Sequence, residues 1–368
     1  MPAAAAALAS LVDRLARCSI AALDTEFHVE RHHDPRLMLV QVQPDDGGPA
    51  VWIDPLDGAD LRPLGEALAG VTLVVHGGAG DLPILRDAAG LVPGEVFDTQ
   101  VAAAFVGDGA RMGLQALVFR RLGRWLPKTE TVSDWSRRPL SPAQEEYALD
   151  DVRVLLPLRA VLVADLERTG RREIAEAAMR EAATRSLVPP RDDDAWRTLG
   201  GAQNLDETSR ATLRALAAWR EREARARDLP RGQVVSDALI LDLARRRPET
   251  PEAMRTHRRF PSQIIRKDGE AMLAVMARAR TQPAPPPLRP WPRVWGDAVR
   301  AAAAAVEAAG GVAVDLLLDD ATLTMLHAGE RLAPWRWEAL GPQVHGFLAG
   351  TLALDVTGKF VRVGQAGA

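Results

Sequence analysis

The chain has 368 residues, of which 47% are hydrophobic and 26% charged, and its formal net charge is −3. This composition allows a sizeable core and excludes a disordered chain, and the length is typical of two or three domains. No apolar run reaches the roughly 18 residues that a membrane-spanning helix needs, so the sequence predicts no membrane span.

Two features of the sequence favour a cytoplasmic protein. Residues 1–20 are apolar but lack the basic start of a secretory signal, and Asp13 and Arg14 interrupt them, so they predict an amphipathic first helix. The single cysteine, Cys18, excludes intrachain disulfides and multi-cysteine zinc sites. We therefore expect a cytoplasmic location, no membrane association and no obligate protein partner.

Two proline-rich stretches divide the chain. The first begins at Val188 and runs into Pro189 and Pro190, and the second begins at Pro283 and continues to Pro292. Proline removes backbone donors and favours extended chain, which suits a linker. The sequence therefore predicts three segments, 1–187, 188–282 and 283–368.

The sequence pattern of the first segment predicts strands, followed by alternating strands and helices. Apolar, β-rich runs predict strands at 20–27, 37–42, 50–53 and 72–76. Helical periodicity predicts helices at 61–68, 81–89, 99–105, 114–122 and 142–161, and onward towards 185. This order is typical of an α/β layer fold.

The second and third segments predict helices alone. Helical patterns cover 209–227, 237–245 and 264–280 in the second segment, and 295–309 and 335–348 in the third. Residues 205–280 hold 17 Lys+Arg against 11 Asp+Glu, an excess of six positive charges, whereas the remainder is acidic. A basic helical module on an acidic body is compatible with a nucleic-acid partner.

The run IAALDTEF places two carboxylates in a predicted strand. Asp24 and Glu26 are spaced i, i+2, so both side chains lie on one face of the strand. Buried anions need a neutralising cation, and the run holds no Lys or Arg, so a hard divalent ion is a natural partner. The alternative is an exposed strand end with solvated acids.

Two further acids follow on predicted helices. Asp81 comes after a glycine-rich turn that begins at His76, and it is either a functional carboxylate or a helix N-cap. The turn does not match a phosphate-binding loop. Tyr147 and Asp151 are spaced i, i+4 and share one face of an otherwise apolar helix, whereas Asp150 is rotated about 100° away.

The order D-x-E, H-x4-D-L and Y-x3-D resembles the DEDD superfamily of 3′–5′ exonucleases, and the tyrosine marks its DEDDy branch. The stretches LDTEF, FDTQVAAAFVG, DWSRRPL and YALDDVRVLLPL closely resemble the bacterial ribonuclease D family. Residues 205–280 resemble an HRDC domain, a small helical nucleic-acid-binding module. The third segment resembles the family only in its placement, as a second, diverged HRDC-like module.

The resemblance implies an RNase H-like DEDD exonuclease domain with a mixed sheet, followed by all-helical HRDC-type modules. It implies a 3′–5′ exoribonuclease that releases nucleoside 5′-monophosphates by two-metal-ion hydrolysis, with precursor tRNA as the expected substrate. Two Mg²⁺ or Mn²⁺ ions would be held by Asp24, Glu26, Asp81 and Asp151. Tyr147 would orient the attacking water, because a tyrosine with a pKa near 10 is a poor base at neutral pH.

We also expect RNA contacts from residues other than the four carboxylates and Tyr147. Phosphates are commonly bound by arginines and bases by aromatic rings, which makes several side chains candidates. These RNA-binding candidates are Phe27, His76, Trp135, Arg138, Arg220 and Arg227. Two rival functions remain open from the sequence: a catalytically silent RNA-binding scaffold and a DNA-directed 3′–5′ exonuclease.

Overall fold

The computed structural model describes residues 3–127, 130, 133–255, 261–357 and 360–365. The chain forms two compact units. The first unit comprises residues 1–27, 37–188 and 291–368, and the second comprises residues 28–36 and 189–290. The boundary predicted near residue 188 is therefore present, but the chain from 291 onward belongs to the first unit.

A five-stranded mixed sheet forms the centre of the first unit, with the strand order β3-β2-β1-β4-β5. Strand β1 pairs in parallel with β4, β4 pairs in parallel with β5, and β2 pairs antiparallel with β3. The strands are β1 (Ile20–His28), β2 (Arg36–Pro44), β3 (Val51–Ile53), β4 (Thr72–Val75) and β5 (Glu95–Asp98).

Helices cover both faces of this sheet. On one face Ala22 and Val74 share a core with Leu158, and on the other Leu23 and Leu73 join a separate core. Parallel strands buried on both sides read as continuous apolar runs, as β1 does before Asp24. The helices are α1 (Ala3–Leu15), α2 (Arg62–Ala69), α3 (Asp81–Ala89), α4 (Thr99–Phe105), α5 (Leu114–Leu122), α6 (Pro142–Arg153), α7 (Leu155–Arg168) and α8 (Arg172–Ser186).

The second unit is helical around the buried ring of Trp196, which is 1% exposed. Residues 28–36, which follow β1, belong to this unit: His32 and Arg36 contact Asp228, and the buried His33 contacts Glu221. Its α-helices are α9 (Glu207–Arg227), α10 (Arg231–Val234), α11 (Asp237–Arg246), α12 (Pro251–Arg255) and α13 (Ser262–Ala279).

The C-terminal residues pack onto the first unit instead of standing alone. Val299 and Leu340 share a core with Phe105 and Met179, and Trp335 Nε1 donates to Glu181 at 2.7 Å. The elements are α14 (Arg293–Ala308), α15 (Val314–Leu317), α16 (Asp320–His327), α17 (Pro334–Leu348), β6 (Leu352–Thr357) and β7 (Phe360–Gln365).

The antiparallel pair of β6 and β7 corrects the expectation of a purely helical third segment. The sequence signal for it is the period-two alternation of Leu352, Leu354 and Val356, followed by Val361 and Val363. Elsewhere, none of the helices in the described ranges is long and apolar enough to cross a membrane.

Candidate active site

Three carboxylates converge beside the central sheet. Asp24 and Glu26 lie on β1, and Asp151 lies on α6 with only 8% of its surface exposed. One carboxylate oxygen from each lies within 4.8 Å of the other two. The strand period of two and the helix position of Asp151 together produce a cluster of three acids that can hold one metal ion.

Asp81 joins this cluster from the N-terminus of α3. Gly80 occupies the N-cap position, and Asp81, which is 8% exposed, accepts a hydrogen bond from the Thr25 hydroxyl. The N-cap alternative for Asp81 is therefore wrong, because its carboxylate faces β1. Thr25 lies between Asp24 and Glu26 in the sequence of β1, and its hydroxyl connects this strand to the fourth acid.

Burial raises the pKa values of all four acids, and repulsion within the cluster adds to this effect at Asp24 and Glu26. Burial, followed by the charges of Asp81, Asp151 and Glu26, raises the pKa of Asp24 well above its usual range. Burial, followed by the charges of Asp151 and Asp81, raises the pKa of Glu26 to about 8. Burial also raises the pKa values of Asp81 and Asp151 to about 6 each. No positively charged side chain among these causes offsets the cost of ionising the four carboxyl groups.

The donor set fits hard divalent cations. Carboxylate oxygens are the ligands that Mg²⁺ and Mn²⁺ prefer. No Lys or Arg among the described residues forms an ion pair with any of these four acids, although most other buried acids of the chain have an arginine partner. The cluster therefore fits a site whose negative charge is neutralised by a bound metal ion and not by Lys or Arg.

Tyr147 lies one turn before Asp151 on α6, and its hydroxyl donates a hydrogen bond to the Asp151 carboxylate, which lowers the pKa of that acid against the effect of burial. The Tyr147 ring packs against the buried ring of Trp135, with centroids 6.2 Å apart. Ser141 begins α6 with a capping box formed with Gln144. The cap and the ring contact fix the position of the hydroxyl.

Comparison with known proteins identifies the family. A family model for 3′–5′ exonucleases matches residues 1–167, and an HRDC domain model matches residues 209–276. Ribonuclease D of Acidiphilium cryptum is 36% identical over 97% of this chain and 95% of its own length. The chain belongs to the ribonuclease D family. It is a 3′–5′ exonuclease hydrolase.

Two further matches come from Escherichia coli. Its ribonuclease D is 36% identical over 75% of this chain and 74% of its own length. The crystal structure of that protein, an exoribonuclease involved in structured RNA processing, aligns with a TM-score of 0.80 and 31% identity. The alignment covers 94% of this chain and 97% of that chain, so the ribonuclease D fold extends over almost the whole molecule.

Replacing Tyr147 by Phe tests the hydroxyl in this ribonuclease D site. We expect kcat to fall roughly tenfold to a hundredfold, because the variant loses a positioned hydrogen bond to a buried carboxylate. The pKa of Asp151 should rise without this donor, so the acidic limb of the pH–rate profile should move to higher pH. Steady-state kinetics across pH measures both effects. An unchanged profile with reduced kcat would contradict the link to Asp151.

Asp98 is a residue of this site that sequence reasoning missed. It caps α4 through Gln100 N at 2.8 Å and also accepts from Gly77 N at 2.9 Å and Gly78 N at 3.1 Å. These bonds hold the glycine-rich turn that leads into Asp81, where Gly77 has a left-handed φ of 69°. The motif FDTQ carried an N-cap signal, but its partners 20 residues away are visible only in the fold.

Replacing Asp98 by Ala should lower the free energy of unfolding by about 2–3 kcal/mol, because a helix cap is lost and buried N–H groups are left unpaired. It should also reduce kcat about tenfold, because the turn before Asp81 loosens. Denaturant unfolding and steady-state rates measure these effects. The matched control is Asp319→Ala, which removes the cap of α16 through Thr322 and should cost stability alone.

The predicted RNA contacts have different outcomes. Phe27 is half-buried, and its ring lies beside Gly80, next to Asp81, so its position agrees with a contact near the reacting end. His76 is engaged inside the fold: its ring nitrogens lie 2.9 Å from Thr99 Oγ1 and 3.1 Å from the Met112 carbonyl oxygen. Burial lowers the pKa of His76. Through Thr99 it connects the start of the turn between β4 and α3 to the first residue of α4.

Trp135 and Arg138 are also committed to the fold. Trp135 is 3% exposed and supports Tyr147. Arg138 forms two hydrogen bonds with the Asp54 carboxylate and donates to the carbonyls of Trp135 and Met38 at 2.8 Å each. The expectation that they bind RNA is thus corrected: Trp135 is buried, and the Arg138 guanidinium is occupied by Asp54 and by backbone carbonyls of the fold.

Arg220 and Arg227 need the same correction. Arg220 is 2% exposed, and its guanidinium donates to the Val235 carbonyl at 2.9 Å and to Asp237 at 2.7 Å. Arg227 forms a bidentate pair with Asp268 and also contacts Glu223. These arginines build the helical unit, because the Arg220 guanidinium is buried and the partly exposed Arg227 guanidinium is held by two carboxylates.

Proposed function

We propose that this enzyme is a 3′–5′ exoribonuclease that removes nucleoside 5′-monophosphates singly from RNA 3′ ends, and that precursor tRNA is a substrate. The observation that carries the proposal is the cluster of Asp24, Glu26 and Asp151, with Asp81 beside it and the Tyr147 hydroxyl on Asp151. The ribonuclease D relatives, one of them an exoribonuclease involved in structured RNA processing, support RNA as the substrate.

In this proposal Asp24, Glu26 and Asp151 would hold one divalent ion, and Asp24 and Asp81 would hold a second. When bound, Mg²⁺ or Mn²⁺ supplies Lewis acidity for water activation and charge stabilisation at the scissile phosphate. Other side chains of the protein would position these acids. Thr25 aims Asp81, Asp98 anchors the turn before it, and Tyr147 orients Asp151.

The acids also set the pH range of the reaction. Their raised pKa values mean that the metal-free site is partly protonated near neutrality. Cations compete with these protons, so metal occupancy and activity should both rise with pH. Phe27 beside Gly80 is placed to contact the terminal nucleotide.

The experiment uses a 5′-labelled, tRNA-like RNA with a short 3′ extension, incubated with Mg²⁺, Mn²⁺ or chelator. A metal-dependent ladder that shortens from the 3′ end, with nucleoside 5′-monophosphates as the released products, would support the proposal. An unstructured RNA and a DNA of the same sequence run in parallel. Faster trimming of the DNA would favour the DNA-directed exonuclease, and binding without trimming of any strand would favour the silent scaffold.

A further inference from the structure

Two large aromatic side chains of the first unit are exposed to solvent. Phe119 on α5 is 56% exposed, and Trp125, just after this helix, is 76% exposed. Their ring centroids are 6.1 Å apart, with an interplanar angle of 82°. The edge of one ring therefore meets the face of the other, and much of the indole remains accessible.

The core does not explain this placement. Leu117, Val118 and Leu126 supply the buried contacts of the same segment, at 0%, 0% and 2% exposure. An exposed tryptophan is among the least favourable residues at a solvated position, because its large apolar surface stays in water. A paired exposed Phe and Trp is instead typical of a binding surface.

Arginines surround the pair. Arg120 and Arg124 are each about half exposed, with side-chain exposures of 54% and 51%. Arg120 shares Asp108 with Arg121, so two guanidinium groups contact one carboxylate. Arg111, on the approach to α5, is exposed as well. The aromatic pair therefore lies in a locally basic neighbourhood.

A direct contact links this neighbourhood to the helix of the active site. Arg124 donates to Asp150 at 3.2 Å, and Asp150 is the residue before Asp151 on α6. The aromatic pair thus flanks the helix that carries both Tyr147 and Asp151. The pair is therefore connected to the active-site helix through Arg124, which makes the substrate strand of that site the natural occupant.

We propose that Phe119 and Trp125 form a base-stacking platform for an unpaired nucleotide of the substrate strand, upstream of its 3′ end. This proposal rests on the proposed function. Aromatic rings stack on any base, and neighbouring arginines balance the phosphates, which is how single strands are bound without sequence preference. The exposed guanidinium groups of Arg120 and Arg124 complement the charge of a polyanionic strand, so we commit to RNA as the occupant and leave a protein partner as an outcome of the test.

The test measures RNA binding and cleavage for Trp125→Ala. In chelator, where no cleavage occurs, the Kd for a labelled single-stranded 12-mer should rise roughly tenfold, as expected for the loss of one stacked base. Trp125→Phe should retain most of the affinity. A dinucleotide, too short to reach the platform, should be cleaved by Trp125→Ala at the wild-type rate in Mn²⁺. The matched control is Trp337→Ala, which removes another exposed tryptophan (42%) stacked on His345 and should bind as wild type.

Several outcomes would overturn the platform. One is a wild-type Kd in Trp125→Ala, and another is an equal loss in Trp337→Ala. A third is a change in self-association with unaltered RNA affinity, which would make the rings a contact between copies of this chain. Failure of the wild type to cleave any RNA would overturn the proposed function, whereas equal cleavage and binding by wild type and Trp125→Ala would overturn the platform alone.

Discussion

Asp24→Asn should reduce the exonuclease rate by roughly three orders of magnitude or more while the protein stays folded. Asp24 is the acid on which the charges of Glu26, Asp81 and Asp151 all act, so it lies at the centre of the cluster. The amide has the shape of the carboxylate but carries no charge to hold a cation. It also removes a buried anion that repels three others, so the metal-free variant should unfold at a higher temperature than wild type.

The measurement combines single-turnover cleavage of a labelled RNA with thermal unfolding in chelator. Asp150→Asn is the matched control, because Asp150 lies beside Asp151 in the sequence but contacts Arg124 and Arg153. Its rate should stay within about twofold of wild type, as expected for a surface ion pair. Wild-type activity in Asp24→Asn would remove Asp24 from the site, and a lower unfolding temperature would contradict the repulsion argument.

The metal-free protein should lose stability as the pH rises from about 5 to 8, and divalent ions should abolish that loss. Free carboxyl groups titrate near pH 4, whereas folded Asp81 and Asp151 titrate at about 6 and Glu26 at about 8. Between these values the folded state holds more protons than the unfolded state, so the free energy of unfolding falls with rising pH. Cations bind the deprotonated acids, so stabilisation by metal should be greatest at the high end of this window.

Calorimetric unfolding in chelator and in millimolar Mn²⁺, at several pH values between 5 and 8, gives the comparison. The transition of the first unit should move by several degrees, and Glu26→Gln should flatten its pH dependence in chelator because the carboxyl group whose pKa is raised to about 8 is gone. A transition that is independent of pH in chelator and does not respond to Mn²⁺ would show that the acids are compensated by another partner.

The family resemblance singled out the candidate site residues, and local periodicity was enough to predict which of them lie side by side. Asp24 and Glu26 share a face because strand residues alternate, and Tyr147 contacts Asp151 because residues i and i+4 of a helix are neighbours. Both neighbour relations depend only on residues two or four positions apart, so they can be predicted from the sequence alone. The buried β1 and the helical second unit were predictable for the same reason.

Relations between distant residues could not be read in this way. Arg220, in the basic segment, and Arg138, in the family-like stretch DWSRRPL, were RNA-binding candidates because the sequence shows the charge of an arginine but not its partner. Asp81 could be a cap or a ligand until Thr25, 56 positions earlier, was found to donate to it. Asp98 was missed, because its bonds to Gly77 and Gly78 join residues about 20 positions apart in the sequence.

The same division applies to the C-terminal residues. Their helices were visible as apolar periodicity, but periodicity does not say which surface a helix covers, so their shared core with Phe105 and Met179 was unforeseen. The sequence settles which face of an element is apolar and which acids sit side by side, because these follow from backbone geometry over a few residues. Which charge is compensated, which helix joins which core and which ring stays in solvent depend on contacts across tens to hundreds of residues, and these exist only once the chain has folded.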